Sequence, residues 1–186
     1  MATTEQLTTA KQLLETPNLG RCELVRGERI MMSPAGFEHG MIVMRVSAPL
    51  ATFVEDGRLG VVTGAETGFL IQESPDTVRA PDVGFVISDR VPHEEHPGFF
   101  RGAPDLAVEV LSPRDGASAL LAKIHQWLDS GCREVWVVDP KNRTVSIHRS
   151  KQRIDVLAEN DTLTGGDLLP GFRLSVAEVF RPPKRP

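Results

Sequence analysis

Apolar residues recur along the chain with two different periods, and these mark out its elements. Leu120, Leu121, Ile124, Trp127 and Leu128 fall on one arc at about 100° per residue, so Gly116 to Ser130 is predicted as an amphipathic helix stopped by Gly131. A second helix is expected over Phe37 to Glu55, where Ile42, Val46, Leu50 and Phe53 recur at spacings of four, four and three. Pro49 interrupts that pattern and removes a helix hydrogen bond at a cost of about 3 kcal/mol, which predicts a kink or two helical pieces. Leu7, Leu13 and Leu14 form a weaker set over Thr4 to Glu15, ended by Pro17 and Gly20.

Shorter apolar segments bounded by turn residues read as strands. Cys22 to Val25 and Ile30 to Met32 flank Arg26-Gly27-Glu28 as a β-hairpin. After Gly57 come Leu59 to Thr63, Thr67 to Gln72, Asp82 to Ile87 and Asp105 to Leu111, the last two nearly continuous in apolar residues, as in strands covered on both faces. Glu134 to Val138 is another such strand. Thr144 to His148 and Ile154 to Glu159 form an antiparallel pair, Gly171 to Leu174 adds a short strand, and Ser175 caps a terminal turn through Phe180. Helix, several strands, helix and strand in that order predict an α/β fold with a mixed central sheet and an added C-terminal antiparallel hairpin. Residues 1–186 read as a single domain, with 181–186 as a frayed tail.

Charge and cysteine content narrow the function classes. Lys and Arg number 21 against 25 Asp and Glu, a net −4 over 186 residues, which argues against general positive coating for nucleic acid. Lys141, Arg143, Arg149, Lys151 and Arg153 are the exception, +5 within thirteen residues without an acid. They form either a solvated hairpin face or a track for a phosphate backbone. Cys22 and Cys132 indicate neither a zinc site nor a disulfide framework, and both are expected to be buried, reduced thiols. The apolar runs are too short to span a bilayer, so no membrane association is expected. The polar N-terminus shows no secretory signal, and a cytoplasmic location follows by default.

Glu109 stands inside Leu106-Ala107-Val108-Glu109-Val110-Leu111. A buried carboxylate must be paired, protonated or bound to a cation, so it belongs to an internal ion pair, an exposed strand face or a functional site. Asp82, after Pro81, opens the preceding apolar strand and by itself fits a strand-entry turn. On adjacent strands the two acids could converge on one divalent cation, and their hard oxygens favour Mg²⁺ or Mn²⁺. Lys123 lies beside the buried arc of its helix, either laying its stem over apolar surface or aiming its ammonium at the acids. Glu38, in the first turn of the long helix, is explained by the macrodipole alone, and neighbouring His39 reads as a surface or capping histidine. His93-Glu94-Glu95-His96 lacks metal-site spacing and reads as a solvated charge run.

In order along the chain, Cys22-Glu23-Leu24-Val25-Arg26-Gly27-Glu28, Met32-Ser33-Pro34 with Glu38-His39, Ala80-Pro81-Asp82-Val83, Ala103 to Pro113, Lys123, Gly131 to Pro140 and Leu169-Pro170-Gly171-Phe172 resemble the Uma-type family of restriction endonucleases, within the PD-(D/E)XK nuclease superfamily. The likeness covers about Arg21 to Phe180. It implies a restriction-endonuclease-like αβββαβ core, with Asp82 and Glu109 as the motif acids, the Val110 carbonyl as a further metal ligand, and Glu38 as the superfamily's helix glutamate. The usual lysine two residues after the acid is replaced by Leu111, and Lys123 on the next helix takes its place. The resemblance thus implies Mg²⁺-dependent hydrolysis of DNA by a protein that self-associates as a homodimer to cut both strands, with Lys141, Arg143, Arg149, Lys151 and Arg153, singled out by their charge alone, as the candidate DNA contact. The alternative is an inactive nuclease fold that serves as a DNA-binding or protein-interaction module.

Overall fold

The computed structural model describes residues 7–94, 97–113 and 116–183. Helix α1 covers Ala10–Glu15, shorter than the predicted element, of which Thr4 to Gln6 lie outside the described residues. Thr9 caps it, exchanging hydrogen bonds with Gln12. Strands β1 (Cys22–Val25) and β2 (Glu28–Met31) form the expected hairpin. Its two turn residues, Arg26 and Gly27, both have positive φ, as a tight I′ turn requires.

Helix α2, Phe37–Gly57, is one continuous helix despite Pro49. Ile42, Val46, Leu50 and Val54 are all buried along one face, and that packing offsets the lost hydrogen bond. Next come β3 (Gly60–Thr63), β4 (Phe69–Gln72), β5 (Thr77–Arg79), β6 (Val83–Ile87), β7 (Phe100–Arg101) and β8 (Leu106–Val110). Helix α3 (Ala117–Asp129) leads into β9 (Glu134–Asp139), β10 (Thr144–His148), β11 (Ile154–Leu157), β12 (Thr162–Gly165), β13 (Leu169–Ser175) and α4 (Val176–Phe180). Strands β5, β7 and β12 were not anticipated from sequence.

The six-stranded central sheet has the order β11-β10-β9-β8-β6-β3. Strands β8 and β9 are parallel and the other neighbours antiparallel, so the sheet is mixed. In chain order α2, β3, β6, β8, α3 and β9 supply the αβββαβ core. The β10–β11 hairpin extends its sheet, and β12–β13 forms a separate pair. Segments inserted between core strands, β4, β5 and β7, join the N-terminal hairpin in a second sheet of order β2-β1-β5-β4-β7.

Two cores result from the alternation of β8. Leu106, Val108 and Val110 pack beneath α2, β13 and α4, whereas Ala107 joins Phe69, Ile124, Trp127, Val135 and Val137 on the α3 side. Gly84 lets the second sheet approach, because a Cβ there would stand 2.8 Å from Thr63 Oγ1 and 3.0 Å from the Phe69 ring. The period of two puts Glu109 on the α3 side with Ala107. No helix among the described residues is long and apolar enough to cross a membrane.

Candidate active site

Asp82 and Glu109 come together because their strands are neighbours. Val83 opposes Val108, and Asp82 N–H donates to the Val108 carbonyl at 3.0 Å. Two residues further along β8, Val110 N–H donates to Asp82 Oδ2 at 2.8 Å. Because a strand residue turns its N–H and C=O to the same side, the Val110 carbonyl also faces the Asp82 side. The residues that would continue the ladder there have turned away: Pro81 has no N–H, and Ala80 N–H goes to Glu23 Oε1. The Val110 carbonyl is therefore not spent in the sheet; it faces His39, whose pKa it helps to raise.

Both acids are buried, at 7 % exposure each. Glu109 Oε2 accepts from Lys123 Nζ at 2.9 Å and Oε1 from Trp127 Nε1 at 2.8 Å. Its partners are thus a helix lysine and an indole, not an internal arginine. Lys123 and Trp127, four residues apart, share a face of α3. Burial pushes the Glu109 carboxyl up to about 7 against the pull of the Lys123 charge, and nearby Asp82 adds to the rise. Burial would also raise Asp82, but its hydrogen bonds from His39 and Val110 and the positive charges of His39 and Lys123 hold it below the ordinary carboxylate range. Lys123 is kept above the ordinary lysine range because Glu109 and Glu23 outweigh its own burial.

His39 is not a surface or capping residue. Its Nε2 lies 3.3 Å from Asp82 Oδ2, and this bond, opposed by burial, raises its pKa. Its Nδ1 is buried without a partner among the described residues. Glu38, one residue earlier, is exposed, so the member of this helix that reaches Asp82 is the histidine. Reasoning from sequence also overlooked Glu23. It is 3 % exposed, ion-paired to Lys123 at 3.1 Å and to Arg79 Nη1 at 2.6 Å. Both charges outweigh burial and lower its pKa. Its signal was the one that exposed Glu109, an acid inside an apolar strand, Cys22-Glu23-Leu24-Val25.

The basic stretch is divided. Since β10 runs antiparallel to β9, Lys141 and Arg143 lie near the strand end that carries Glu109 and Val110, while Arg149, Lys151 and Arg153 lie at the opposite end. Three of the five are matched by acids. Arg143 Nε donates to Glu159 Oε2 at 2.7 Å, Arg149 Nε to Glu134 Oε1 at 2.8 Å with Asp155 as its second partner, and Lys151 Nζ lies 2.7 Å from Asp129 Oδ1. Lys141 and Arg153 are exposed.

Cys132 is buried as expected, and its thiol is pushed up to about 12 chiefly by burial. Cys22 is only half-buried, and it lines a groove of about 250 Å³ between α1 and the second sheet. Within the loop run, Glu95 and His96 lie outside the described residues, and His93 and Glu94 are exposed. Residues 184–186 of the tail also lie outside them.

No group of three or more His, Cys, Asp and Glu side chains is placed to hold a metal ion among the described residues. The oxygens on hand are two carboxylates and the Val110 carbonyl. Mg²⁺ commonly takes one or two carboxylates and completes its shell with water and substrate phosphate. Each Glu109 oxygen has a lone pair beyond its one hydrogen bond, whereas Asp82 Oδ2 is met by both Val110 N–H and His39 and leaves Oδ1 as its open oxygen among the described residues. This donor set fits such a cation.

Residues 8–177 match a family model described as "Uma2: Putative restriction endonuclease". The chain belongs to this family. A crystal structure from Anabaena variabilis ATCC 29413, described as a "putative nuclease belonging to DUF820", superposes with a TM-score of 0.79 at 23% identity, over 92% of this chain and 97% of that one. That likeness supports the nuclease-like fold. No curated protein matches the chain significantly. The Uma2 assignment and the fold together identify a nuclease-type protein.

Proposed function

We propose that this Uma2 protein is a divalent-cation-dependent endonuclease that hydrolyses phosphodiester bonds of DNA. The observation that carries the reading is the meeting of two buried carboxylates from adjacent strands with an ammonium from the covering helix, at one end of the sheet. Clustering acids costs energy through mutual repulsion, and a site that binds a cation uses it. Asp82, Glu109 and the Val110 carbonyl would hold Mg²⁺ or Mn²⁺. When bound, such an ion polarises a phosphate oxygen and lowers the pKa of a water.

The side chains around it have separate tasks. Asp82 Oδ2 is aimed by Val110 N–H and His39, so its orientation is set before any cation arrives. Glu109 is aimed by Trp127 and Lys123. The Lys123 ammonium lies beside the acid, where it can orient the attacking water or stabilise charge growing on the phosphate. Glu38 is exposed, next in sequence to His39, and would be the acid of the first turn of α2 open to a second cation or its water. His39, whose pKa is raised beside Asp82, supplies when protonated a charge that an incoming cation would replace.

Lys141, with Arg143 beside it, would meet DNA near the reacting phosphate. In the far group Arg149 and Lys151 are balanced by acids, and that group, remote from the site, contributes less. The net −4 and these internal pairs predict weak DNA binding without divalent cation. Two copies would be needed to cut both strands of a duplex, which makes a homodimer the working assembly in this proposal.

Incubation of supercoiled plasmid with Mg²⁺ or with EDTA tests the reading. Nicking with Mg²⁺ alone supports it. DNA that remains intact while binding in a salt-sensitive manner supports instead a module that kept the fold without the chemistry.

A further inference from the structure

The ammonium of Lys123 has three N–H groups, and three oxygens meet it: Glu109 Oε2 at 2.9 Å, Glu23 Oε1 at 3.1 Å and the Ala80 carbonyl at 3.2 Å. Glu23 is itself held on both oxygens. Its Oε1 accepts Ala80 N–H at 2.9 Å and its Oε2 accepts Arg79 Nη1 at 2.6 Å. Arg79 turns its other edge to Gln126, whose Oε1 accepts from Nε at 2.8 Å and Nη2 at 2.6 Å. Gln126 follows Lys123 by three residues and lies on the same face of α3. The bonds therefore close a ring from Lys123 through Glu23, Arg79 and Gln126 back along one helical turn.

This ring ties α3, which covers the central sheet, to β1 and β5 of the second sheet. Buried ion pairs are poor stabilisers, because removing charges from water costs about as much as their attraction returns, and well-packed apolar residues often do as well. What the ring provides is a fixed position. A lysine stem is flexible, and from a helix it needs an anchor besides its target to keep the ammonium in one place.

We propose that Glu23, braced by Arg79 and Gln126, is the positioning residue that fixes the Lys123 ammonium against Glu109, which makes the second sheet part of the catalytic apparatus. Its consequence for cleavage rests on the nuclease reading; its consequence for the ammonium does not. Arg79 acts only through Glu23, and neither residue touches the proposed cation ligands.

The test joins two measurements on the full chain. In ¹⁵N-detected spectra of lysine ammonium groups without divalent cation, wild type shows one slowly exchanging resonance, assigned by its loss in Lys123→Met. Glu23→Ala speeds its exchange by roughly tenfold or more, whereas Glu23→Gln, which keeps an acceptor oxygen, retains most of the protection. In Mg²⁺-dependent cleavage, Glu23→Ala lowers kcat by roughly thirtyfold with KM for DNA within about twofold, and Glu23→Gln recovers most of the loss. A general loss of structure would lower the active fraction of both variants in step with their Tm.

If Glu23→Ala fails to fold, Arg79→Gln, which loosens Glu23 but leaves all three acceptors, must still speed exchange. An ammonium signal absent from wild type, or unchanged in the folded variants, overturns the proposal. If the signal behaves as expected but wild type cleaves no DNA, the nuclease reading fails and the positioning role stands.

Discussion

Replacing Glu109 with glutamine in the cation-free protein should abolish a specific pH dependence of stability. The folded carboxyl titrates at about 7, against 4.5 for its ordinary value. Between these two pH values the folded chain keeps a proton that the unfolded chain has lost, so stability is fully present below about 4.5 and falls as pH rises through 7. The gap corresponds to up to about 3 kcal/mol. Raised His39 acts in the same direction. Lowered Asp82 and Glu23 contribute stability that is lost only as pH falls through their folded values, below the ordinary carboxylate range, so the wild-type curve should peak near about pH 5. Glu109 also accepts from two donors, Lys123 and Trp127. A glutamine offers one oxygen and one NH₂, leaving one buried donor facing another at a cost of about 1–3 kcal/mol. The variant is thus less stable than wild type at pH 5, and the difference narrows or reverses by pH 8. Urea unfolding in EDTA at pH 5, 6, 7 and 8 measures both curves. Parallel curves for the two proteins would refute the assignment of a proton to Glu109.

Trp127→Phe removes the indole N–H from Glu109 Oε1 within a fully buried site, and it should cost about 1–3 kcal/mol in urea unfolding; a change below about 0.5 kcal/mol would show the bond to be dispensable. Lys141→Ala should weaken DNA binding and reduce the salt slope of log K by about 1, whereas Arg153→Ala, at the far end, should leave both nearly unchanged in a fluorescence-anisotropy titration. His39→Gln removes the positive charge that the protonated imidazole places beside Asp82 and should tighten Mn²⁺ binding at pH 6 more than at pH 8, as read by calorimetry.

The parts of the fold legible in the sequence are those whose signal is local. Strands β8 and β9 are nearly continuous apolar runs, and α3 carries a full apolar arc, so their type and bounds followed from periodicity. Strands β5 and β7, of three and two residues, have too few positions to show a period. They exist because partners distant in sequence supply their pairing, as Leu24 does for Val78. Pro49 was weighed only against the local helix, and the buried face of α2 keeps the two halves in one continuous helix.

The site divides along the same line. Glu109 was legible because a charge inside an apolar run demands a compensating group, and Lys123 because its helical angle placed it at the edge of the buried arc. Glu23 carried the same mark as Glu109 but sat in a short hairpin remote in sequence from the other acids. His39 could not be separated from a surface histidine until α2 was laid against the end of β8. The basic hairpin shows the reverse case. Its charge was plain in the sequence, while Glu159, Glu134, Asp155 and Asp129, which balance much of it, are set beside it only by the fold.

The central claim is that Asp82 and Glu109 form a cation-dependent phosphodiesterase site, and cleavage by wild type, Asp82→Ala and Glu109→Ala, purified in parallel, tests it most directly. Wild type should nick plasmid DNA in Mg²⁺ and stop on addition of EDTA, and each variant should lose at least about a hundredfold in rate. Mg²⁺-dependent cleavage that persists in both variants at the wild-type rate would contradict it.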